Sequence, residues 1–356
     1  MVQFRPDRMT EKERLEALLN RQLVDRAPFN LFARSFAAVN VGYSKVALYD
    51  DAEKSFEAQS WTNEMFGGWH YLYFHGGAFG AREFGGEVKM PTSEYAMAVS
   101  LSRPAVESEE DAWKLELPDV KTAGVIPLVM HFARLEDKYG WPITFPCGSI
   151  LTRLGYITGV ERMCRWMIKK PELVHRLCQL VADFHVAIAK YWVDTFGRPE
   201  RMIPTAAAPT ESNQILSPGH FAEFCLPYQK EVNEKMLAMG IKHFHTHICG
   251  EQNLNLPCWA QIPMGEPGIV SFGHEVDLDT ASEYFPRDII MGNVEPKVIQ
   301  TGTPEEVYEL SRICIEKGKK HAGGFVFAPG CELPTLAPPY NVWVMRKAVN
   351  DFGWYD

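Results

Sequence analysis

Apolar and polar stretches alternate along the chain in one repeated pattern, a short buried strand followed by a longer amphipathic helix. Strands alternating with helices predict a parallel sheet, and eight such units favour a single α/β domain of the (β/α)8 TIM-barrel class. A doubly wound open sheet is the alternative, but no early strand is followed by a glycine-rich phosphate fingerprint. The eight predicted strands lie at residues 29–32, 69–74, 142–146, 201–206, 242–247, 268–272, 288–291 and 323–328.

Capping and proline signals mark where the helices begin and end. Thr10 to Glu13 form a capping box that opens a helix through about Asn20, predicted as an N-terminal helical extension of the barrel. Residues 79–118 have weak periodicity and many turn residues, so we expect an insertion or a long connection inside a single domain of residues 1–356. Further helices are predicted at residues 49–65, 125–139, 159–169, 171–196, 217–239, 278–284, 303–318 and 341–350.

Composition and charge narrow the class of protein. The chain has 356 residues, 46% of them hydrophobic and 23% charged, which is enough to bury a large core. A net charge of −9 without a Lys/Arg-rich block argues against a nucleic-acid partner. No apolar run approaches the roughly 20 residues that span a bilayer, and residues 1–14 are charged where a secretory signal would be apolar. We therefore expect a cytoplasmic protein with no membrane partner. The sequence leaves open whether it is a monomer or an oligomer.

Eight cysteines in a chain of this length do not form the spacing pattern of a disulfide framework. Most of them are expected to be buried, because a free cysteine packs as a small apolar side chain. Only cysteines that lie beside other ligand-type residues need a chemical explanation.

The strongest chemical signal is a strand rich in histidine. His243, His245 and His247 alternate along it and share one face, and Cys249 follows where the strand should end. In a barrel, the active-site residues lie at the carboxyl ends of the strands, so Cys331 and Glu211, which follow two other strands, should meet His247 and Cys249 at one mouth. One histidine and two cysteines with an open or carboxylate-filled fourth position suit Zn²⁺.

Each of these residues also has a structural explanation. Glu211 is a candidate fourth ligand and, with His247, a candidate catalytic residue, but it could instead cap a helix or pair with an arginine. His243 and His245 are expected to support the metal ligands from behind rather than to bind the ion. His245, His274, Glu275 and Asn293 are candidates for contact with the substrate.

Four segments carry a resemblance to a known family. His247 to Gly250, Gly292 to Pro296, Gly302 to Val307 and Ala328 to Pro334 resemble, in this order, the C-terminal half of the uroporphyrinogen decarboxylase superfamily. Within that superfamily they look like the corrinoid-dependent methyltransferase branch, which includes methylcobamide:coenzyme M methyltransferases and related O-demethylase methyltransferases. Weaker similarity extends over most of the chain.

The resemblance implies a zinc site made of His247, Cys249 and Cys331 on a (β/α)8 barrel. It also implies a corrinoid, methylcobalamin, carried by a partner protein, and a small thiol or methyl ether as the methyl acceptor or donor. Decarboxylation of a porphyrinogen is the minor alternative. Only Arg34 resembles a part of the decarboxylase substrate motif, and few cationic groups follow the strands. A zinc-stabilised barrel without catalytic activity is the third alternative.

Overall fold

A computed structural model describes residues 4–69, 71–74, 76–93, 96 and 98–355. Residue 70, inside a predicted strand, and residues 94, 95 and 97, inside the predicted insertion, lie outside the described residues. Among the described helices, none combines the length and the apolar character that a membrane crossing requires.

The central element is a six-stranded parallel sheet in which the strands pair in the order in which they occur along the chain. A separate antiparallel pair lies in the predicted insertion. The antiparallel strands are β1 (Glu87–Lys89) and β2 (Ser100–Arg103), and the parallel strands are β3 (Ile143–Pro146), β4 (Met202–Ala207), β5 (His245–Ile248), β6 (Ile269–Phe272), β7 (Ile289–Val294) and β8 (Phe325–Pro329).

Helices follow the strands of the parallel sheet and pack apolar side chains against them in one large core. The helices are α1 (Glu11–Leu19), α2 (Ser35–Asn40), α3 (Ala47–Asp50), α4 (Ala52–Phe66), α5 (Glu109–Lys114), α6 (Ile126–Lys138), α7 (Ile150–Thr158), α8 (Val160–Lys169), α9 (Pro171–Phe196), α10 (Pro218–Phe224), α11 (Leu226–Ala238), α12 (Leu256–Trp259), α13 (Leu278–Tyr284), α14 (Pro296–Thr301), α15 (Pro304–Gly318) and α16 (Pro339–Phe352). The α/β fold of the TIM-barrel type is therefore confirmed.

The first two predicted strands are less regular than expected. Residues 29–32 pair with β8 through one isolated parallel bridge, Phe29 to Phe327, and the Trp69 amide donates to the Phe29 carbonyl at 2.6 Å. The ladder stops because the Asn30 side chain accepts the Phe32 amide hydrogen at 2.8 Å, which removes that donor from strand pairing. The two segments nevertheless continue the sheet beyond β8, as the barrel prediction requires.

Two predicted helices are each divided in the structure. Residues 49–65 form the end of α3 and most of α4, because the Asp51 side chain accepts from the Lys54 amide and starts a new helix. Residues 217–239 form α10 and α11, which meet at Cys225, two residues before Pro227. Proline fits the first turn of α11 but would lack a hydrogen bond inside one continuous helix.

The register of the parallel strands aligns the polar side chains of the barrel. Ala207 pairs with His247, and His247 pairs with Ser271 on β6. Residues that pair across neighbouring strands point to the same face of a sheet, so His247 and Ser271 lie side by side. His243 precedes β5 and makes only an isolated bridge to Gly265, so it lies toward the opposite end of the strand from Cys249.

A buried ion pair fixes α1 to the chain that enters the barrel. Arg14 is fully buried, and its guanidinium binds both carboxylate oxygens of Asp25 at 2.7 and 2.9 Å. The amides of Arg8 and Met9 donate to the same carboxylate at 2.8 and 3.0 Å. Burial by itself would raise the pKa of Asp25, but these donors lower it to about 2.

We expect Asp25→Asn to lower the free energy of unfolding by about 1.5–3 kcal/mol, because Arg14 loses a charged acceptor while the Asp7 and Glu11 carboxylates remain beside its guanidinium. Since the folded-state pKa of Asp25 is depressed, its contribution is complete above about pH 4 and is lost as the pH falls toward about 2. Urea unfolding at pH 7 and pH 3 measures both effects. Glu16→Gln, in an exposed pair with Lys12, is the control and should cost less than about 1 kcal/mol.

Candidate metal centre

His247 presents an unpaired ring nitrogen inside the barrel. The residue is 3% exposed, and its Nδ1 lies 3.0 Å from the Ser271 hydroxyl oxygen. Its Nε2 is buried and has no hydrogen-bond partner among the described residues. With Nδ1 donating to Ser271, Nε2 carries a free lone pair, which is the form of imidazole that binds a metal.

Two cysteines that follow two different strands complete the cluster. Cys249 follows β5 directly, and Cys331 lies two residues after the end of β8. Their sulfur atoms are 3.9 Å apart, and both lie within 4.8 Å of a ring nitrogen of His247. Two thiolates bound tetrahedrally to zinc at about 2.3 Å each have sulfurs about 3.8 Å apart. The spacing therefore fits zinc.

The thiols of the cluster do not ionise independently. The hydrogen bond between them lowers the pKa of Cys331 and raises the pKa of Cys249. One imidazole nitrogen and two sulfurs form a borderline-soft donor set, which favours zinc over magnesium or calcium. The ring of His247 lies beside these sulfurs and its Nε2 is buried without a partner, and this is the structural observation that supports a metal here.

A chain of hydrogen bonds holds His247 from behind. Ser271 Oγ also lies 3.0 Å from His245 Nε2, and His245 Nδ1 lies 3.2 Å from the Tyr71 hydroxyl. Burial lowers the pKa of His245 to about 3, so its ring is neutral at physiological pH. His243 does not join this chain in the structure, because its Nδ1 bonds the Pro267 carbonyl at 2.8 Å.

The loop after β5 is held by a glutamine for which the sequence contained no signal. Gln252 Nε2 donates to the Cys249 carbonyl at 2.9 Å and to the Ala208 carbonyl at 2.6 Å. The Trp259 indole donates to Gln252 Oε1 at 2.7 Å. These bonds fix the Cys249 backbone against the chain that follows β4, so Gln252 determines where the thiol lies.

A buried ion pair lies directly beside Cys331. Arg34 Nη2 is 2.6 Å from Glu332 Oε2, and both side chains are almost fully enclosed. Burial raises the pKa of Glu332, and the Arg34 charge opposes that rise. The Phe32 ring packs edge-on against the His247 ring, with centroids 5.3 Å apart. The end of the first predicted strand therefore covers the His247 ring, a contact that only the tertiary structure shows.

The structure gives Glu211 a different role from that of fourth ligand. Its buried carboxylate accepts hydrogen bonds from the Leu151 amide at 2.9 Å, the Thr152 amide at 3.0 Å and the Thr152 hydroxyl at 2.6 Å. It therefore caps the first turn of α7. Within the described part of the chain, the His/Cys/Asp/Glu cluster at the mouth contains His247, Cys249 and Cys331 without Glu211.

The residues predicted to contact the substrate lie at different places around the cluster. His274 Nδ1 lies 3.4 Å from Glu275 Oε2, and both side chains are partly exposed at 40% and 30%. The His274 amide lies against Gly330, which precedes Cys331, so this pair is at the rim of the cluster. Asn293 instead donates to the Gly273 and Val276 carbonyls at 3.0 and 2.7 Å, which makes it a support for that rim.

A pocket opens beside His247 on the inner side of the sheet. Its empty volume, including the open mouth, is about 430 Å³. Aromatic rings dominate its wall, and its charged side chain is a buried arginine. The lining residues are Phe32, Tyr73, Phe74, Gly76, Phe79, Pro146, Arg153, Thr205, Ala206, Ala207, His245 and His247.

Comparison with known families identifies the group to which this fold and site belong. The uroporphyrinogen decarboxylase (URO-D) family model matches residues 10–352, which include all three residues of the cluster. The chain belongs to the uroporphyrinogen decarboxylase family. The family resemblance inferred from the sequence motifs is thereby confirmed.

Several relatives in this family are named methyltransferases. The methylcobamide:CoM methyltransferase MtbA of Methanosarcina acetivorans is 25% identical, and the match covers 97% of this chain and 99% of that protein. The methylated-thiol–coenzyme M methyltransferase of Methanosarcina mazei is 29% identical over 62% of this chain and 58% of its own length. These relatives confirm the prediction of a methyltransferase.

A solved structure from the same genus has the same fold. A methyltransferase from Methanosarcina mazei superimposes with a TM-score of 0.80 at 21% identity, covering 97% of this chain and 99% of that one. At this identity the likeness concerns the fold, which supports a barrel architecture even though 29–32 and 69–74 are irregular.

We expect Cys249→Ser and Cys331→Ser each to lower the zinc content of the purified protein from one ion per chain to well below half, since each removes a thiolate ligand. Metal analysis after dialysis against a weak chelator measures this. Cys258→Ser, at a partly buried cysteine outside the cluster, is the matched control. Full zinc content in either cluster variant would disprove the ligand assignment.

Glu211→Ala tests the cap against the ligand role. We expect the free energy of unfolding to fall by about 1.5–3 kcal/mol, because two amides and one hydroxyl lose a buried acceptor. The zinc content should stay at one ion per chain. Loss of zinc with unchanged thermal stability would restore Glu211 as a ligand.

Proposed function

We propose that this protein is a zinc-dependent methyltransferase that moves a methyl group between the cobalt of a corrinoid on a carrier protein and a small substrate. The observation that carries the proposal is the cluster of His247, Cys249 and Cys331, with its buried, unpartnered nitrogen, at the mouth of the sheet. The chain's family includes relatives that are named methylcobamide:CoM methyltransferases, and this supports the proposal.

The three ligand residues leave a position open for the substrate. Structural zinc sites take four protein ligands, whereas catalytic sites take three and keep one place free. In the described part of the chain, no fourth His, Cys, Asp or Glu joins the cluster. This argues against a zinc-stabilised barrel without activity. When bound, zinc would supply a Lewis acid that lowers the pKa of a substrate thiol and holds its sulfur.

The residues around the cluster then orient the donor atoms and exclude water. Ser271 keeps His247 in one tautomer, Gln252 fixes the Cys249 backbone, and Phe32 covers the imidazole. The substrate thiol would lose its proton to solvent as it binds, its sulfur would displace the methyl group from the carrier's corrinoid, and the electron pair of the broken bond would stay with the corrinoid. The products are a thioether and the cob(I)alamin form of the carrier.

The mouth of the sheet has features that suit a carrier protein. Ile215, Leu254 and Leu336 lie on the segments that follow β4, β5 and β8 and are 43%, 64% and 40% exposed. All three are apolar side chains on segments that follow the carboxyl ends of strands, where the cluster also lies, and exposed apolar groups there suit the binding of a carrier protein. We propose the cytoplasm as its compartment, since eight cysteines in a chain of this length without a disulfide spacing pattern suit a reducing environment.

A methyl ether as the donor is a second candidate. The rings of Phe32, Tyr73, Phe74 and Phe79 line the pocket beside His247, which favours an apolar or aromatic substrate body. In that direction cob(I)alamin would accept the methyl group and an alkoxide or phenoxide would leave. Decarboxylation of a porphyrinogen is less well supported, because Arg34, the one matching cation of the decarboxylase motif, is already paired with Glu332.

Zinc-loaded protein mixed anaerobically with methylcobalamin and a thiol should convert the cofactor to cob(I)alamin, followed by absorbance, with coenzyme M as the first thiol. We expect Cys249→Ser to reduce the rate at least about 100-fold, because the metal and the thiolate it stabilises are lost. Cys258→Ser should retain the rate. If no thiol produces cob(I)alamin, and methyl ethers with cob(I)alamin produce no methylcobalamin, the proposed function is wrong.

A further inference from the structure

Arg153 is a buried cation that has no anionic partner in the part of the chain that the structure describes. It is 8% exposed, it lies on α7 and it lines the pocket beside His247. Its hydrogen bond within the described residues is from Nη1 to the Phe79 carbonyl at 2.8 Å, while its Nε is buried without a partner. A buried guanidinium normally has a carboxylate beside it, because losing its hydration costs several kcal/mol.

Comparison with Arg34 shows what is missing. Arg34 is also buried, but the Glu332 carboxylate at 2.6 Å more than offsets the burial, and the pKa of Arg34 is raised. Burial lowers the pKa of Arg153, because the surrounding carboxylates do not compensate. One of these carboxylates belongs to Glu83, and its oxygens instead accept hydrogen bonds from the Gly80 and Val125 amides at 2.6 and 2.9 Å.

A glycine and an aromatic ring form the space that the guanidinium of Arg153 occupies. A Cβ on Gly148, just after β3, would collide with its Nε and Cζ, so the glycine provides the space it occupies. The Phe79 ring lies on another side, with its centroid 5.0 Å from Cζ. The backbone and one aromatic ring thus hold the cation against the pocket, and none of the described acidic residues pairs with it there.

We propose that Arg153 binds a carboxylate or sulfonate group of the substrate while the reacting end of the same molecule lies at the His247 cluster. This inference rests on the proposed function for the identity of the reacting end. The substrate is then a small organic anion, and its charge supplies the partner that Arg153 lacks. A planar guanidinium with free N–H groups suits both anions because it can donate two parallel hydrogen bonds.

Calorimetry on zinc-loaded protein tests the assignment with three thiols: 2-mercaptoethanesulfonate, 3-mercaptopropionate and the neutral 2-mercaptoethanol. We expect wild type to bind at least one anionic thiol more tightly than the neutral one. Arg153→Gln should weaken anion binding roughly 10- to 100-fold and leave 2-mercaptoethanol unchanged. Arg162→Gln, at an arginine that donates to the Val106 and Thr158 carbonyls, is the matched control. The two anionic thiols distinguish sulfonate from carboxylate.

Thermal unfolding without ligand separates binding from a structural role. Arg153→Gln should be at least as stable as wild type, because it removes an unpaired buried charge. If that variant fails to fold, Gly148→Ala, which displaces the guanidinium without removing it, should show the same anion-selective loss. Equal weakening of all three thiols, or no preference for anions in wild type, would overturn the assignment.

The proposed function can fail independently of this inference. Binding is measured without methylcobalamin, so an Arg153-dependent preference for anions in a protein that transfers no methyl group would retain the anion site and reject the reaction. Methyl transfer with equal kcat/KM for anionic and neutral thiols, unchanged in Arg153→Gln, would retain the reaction and reject the anion site.

Discussion

The approach of two sulfur atoms from distant parts of the chain is the contact on which the site depends. Cys249 and Cys331 are 82 residues apart in sequence, and their sulfurs are 3.9 Å apart. They meet because β5 and β8 are parallel members of one sheet and end at the same side. The His247 nitrogen beside them is buried and unpaired, a costly arrangement for a polar atom unless a ligand satisfies it. The same barrel geometry thus provides both the ligands and the enclosed position in which they lie.

The surroundings of the cluster are held by groups that do not themselves belong to it. Ser271 and His245 fix the imidazole from behind, and Gln252 fixes the backbone of Cys249. The irregular first segment of the sheet also takes part. Because Asn30 interrupts the ladder, the chain turns at Phe32 and packs that ring on His247. The segment that lacks regular strand pairing is thus the one whose Phe32 ring covers His247.

Two buried arginines near the site differ in whether a carboxylate of the protein neutralises their charge. Arg34 is neutralised by Glu332 within the protein, whereas Arg153 has no carboxylate partner among the described residues and faces the pocket. A protein that retains an unpaired buried cation gives up stability at that position, and such a loss is typical of sites that bind a ligand. The polar groups around the pocket therefore divide into those that complete the fold and those that remain available to a substrate.

The sequence by itself determined the class of fold, the order of the six strands in the parallel sheet and three residues of the cluster. Those features follow from local periodicity and from the rule that parallel strands end at one face, so they need no knowledge of side-chain packing. It could not distinguish Glu211 as a helix cap from Glu211 as a ligand, because both roles place a carboxylate after a strand. Only the tertiary structure brought Glu211 to α7, Ser271 and Gln252 to the cluster, and Arg153 to the pocket. These placements depend on contacts between residues far apart in the chain, where neither spacing nor residue type indicates which side chains will meet.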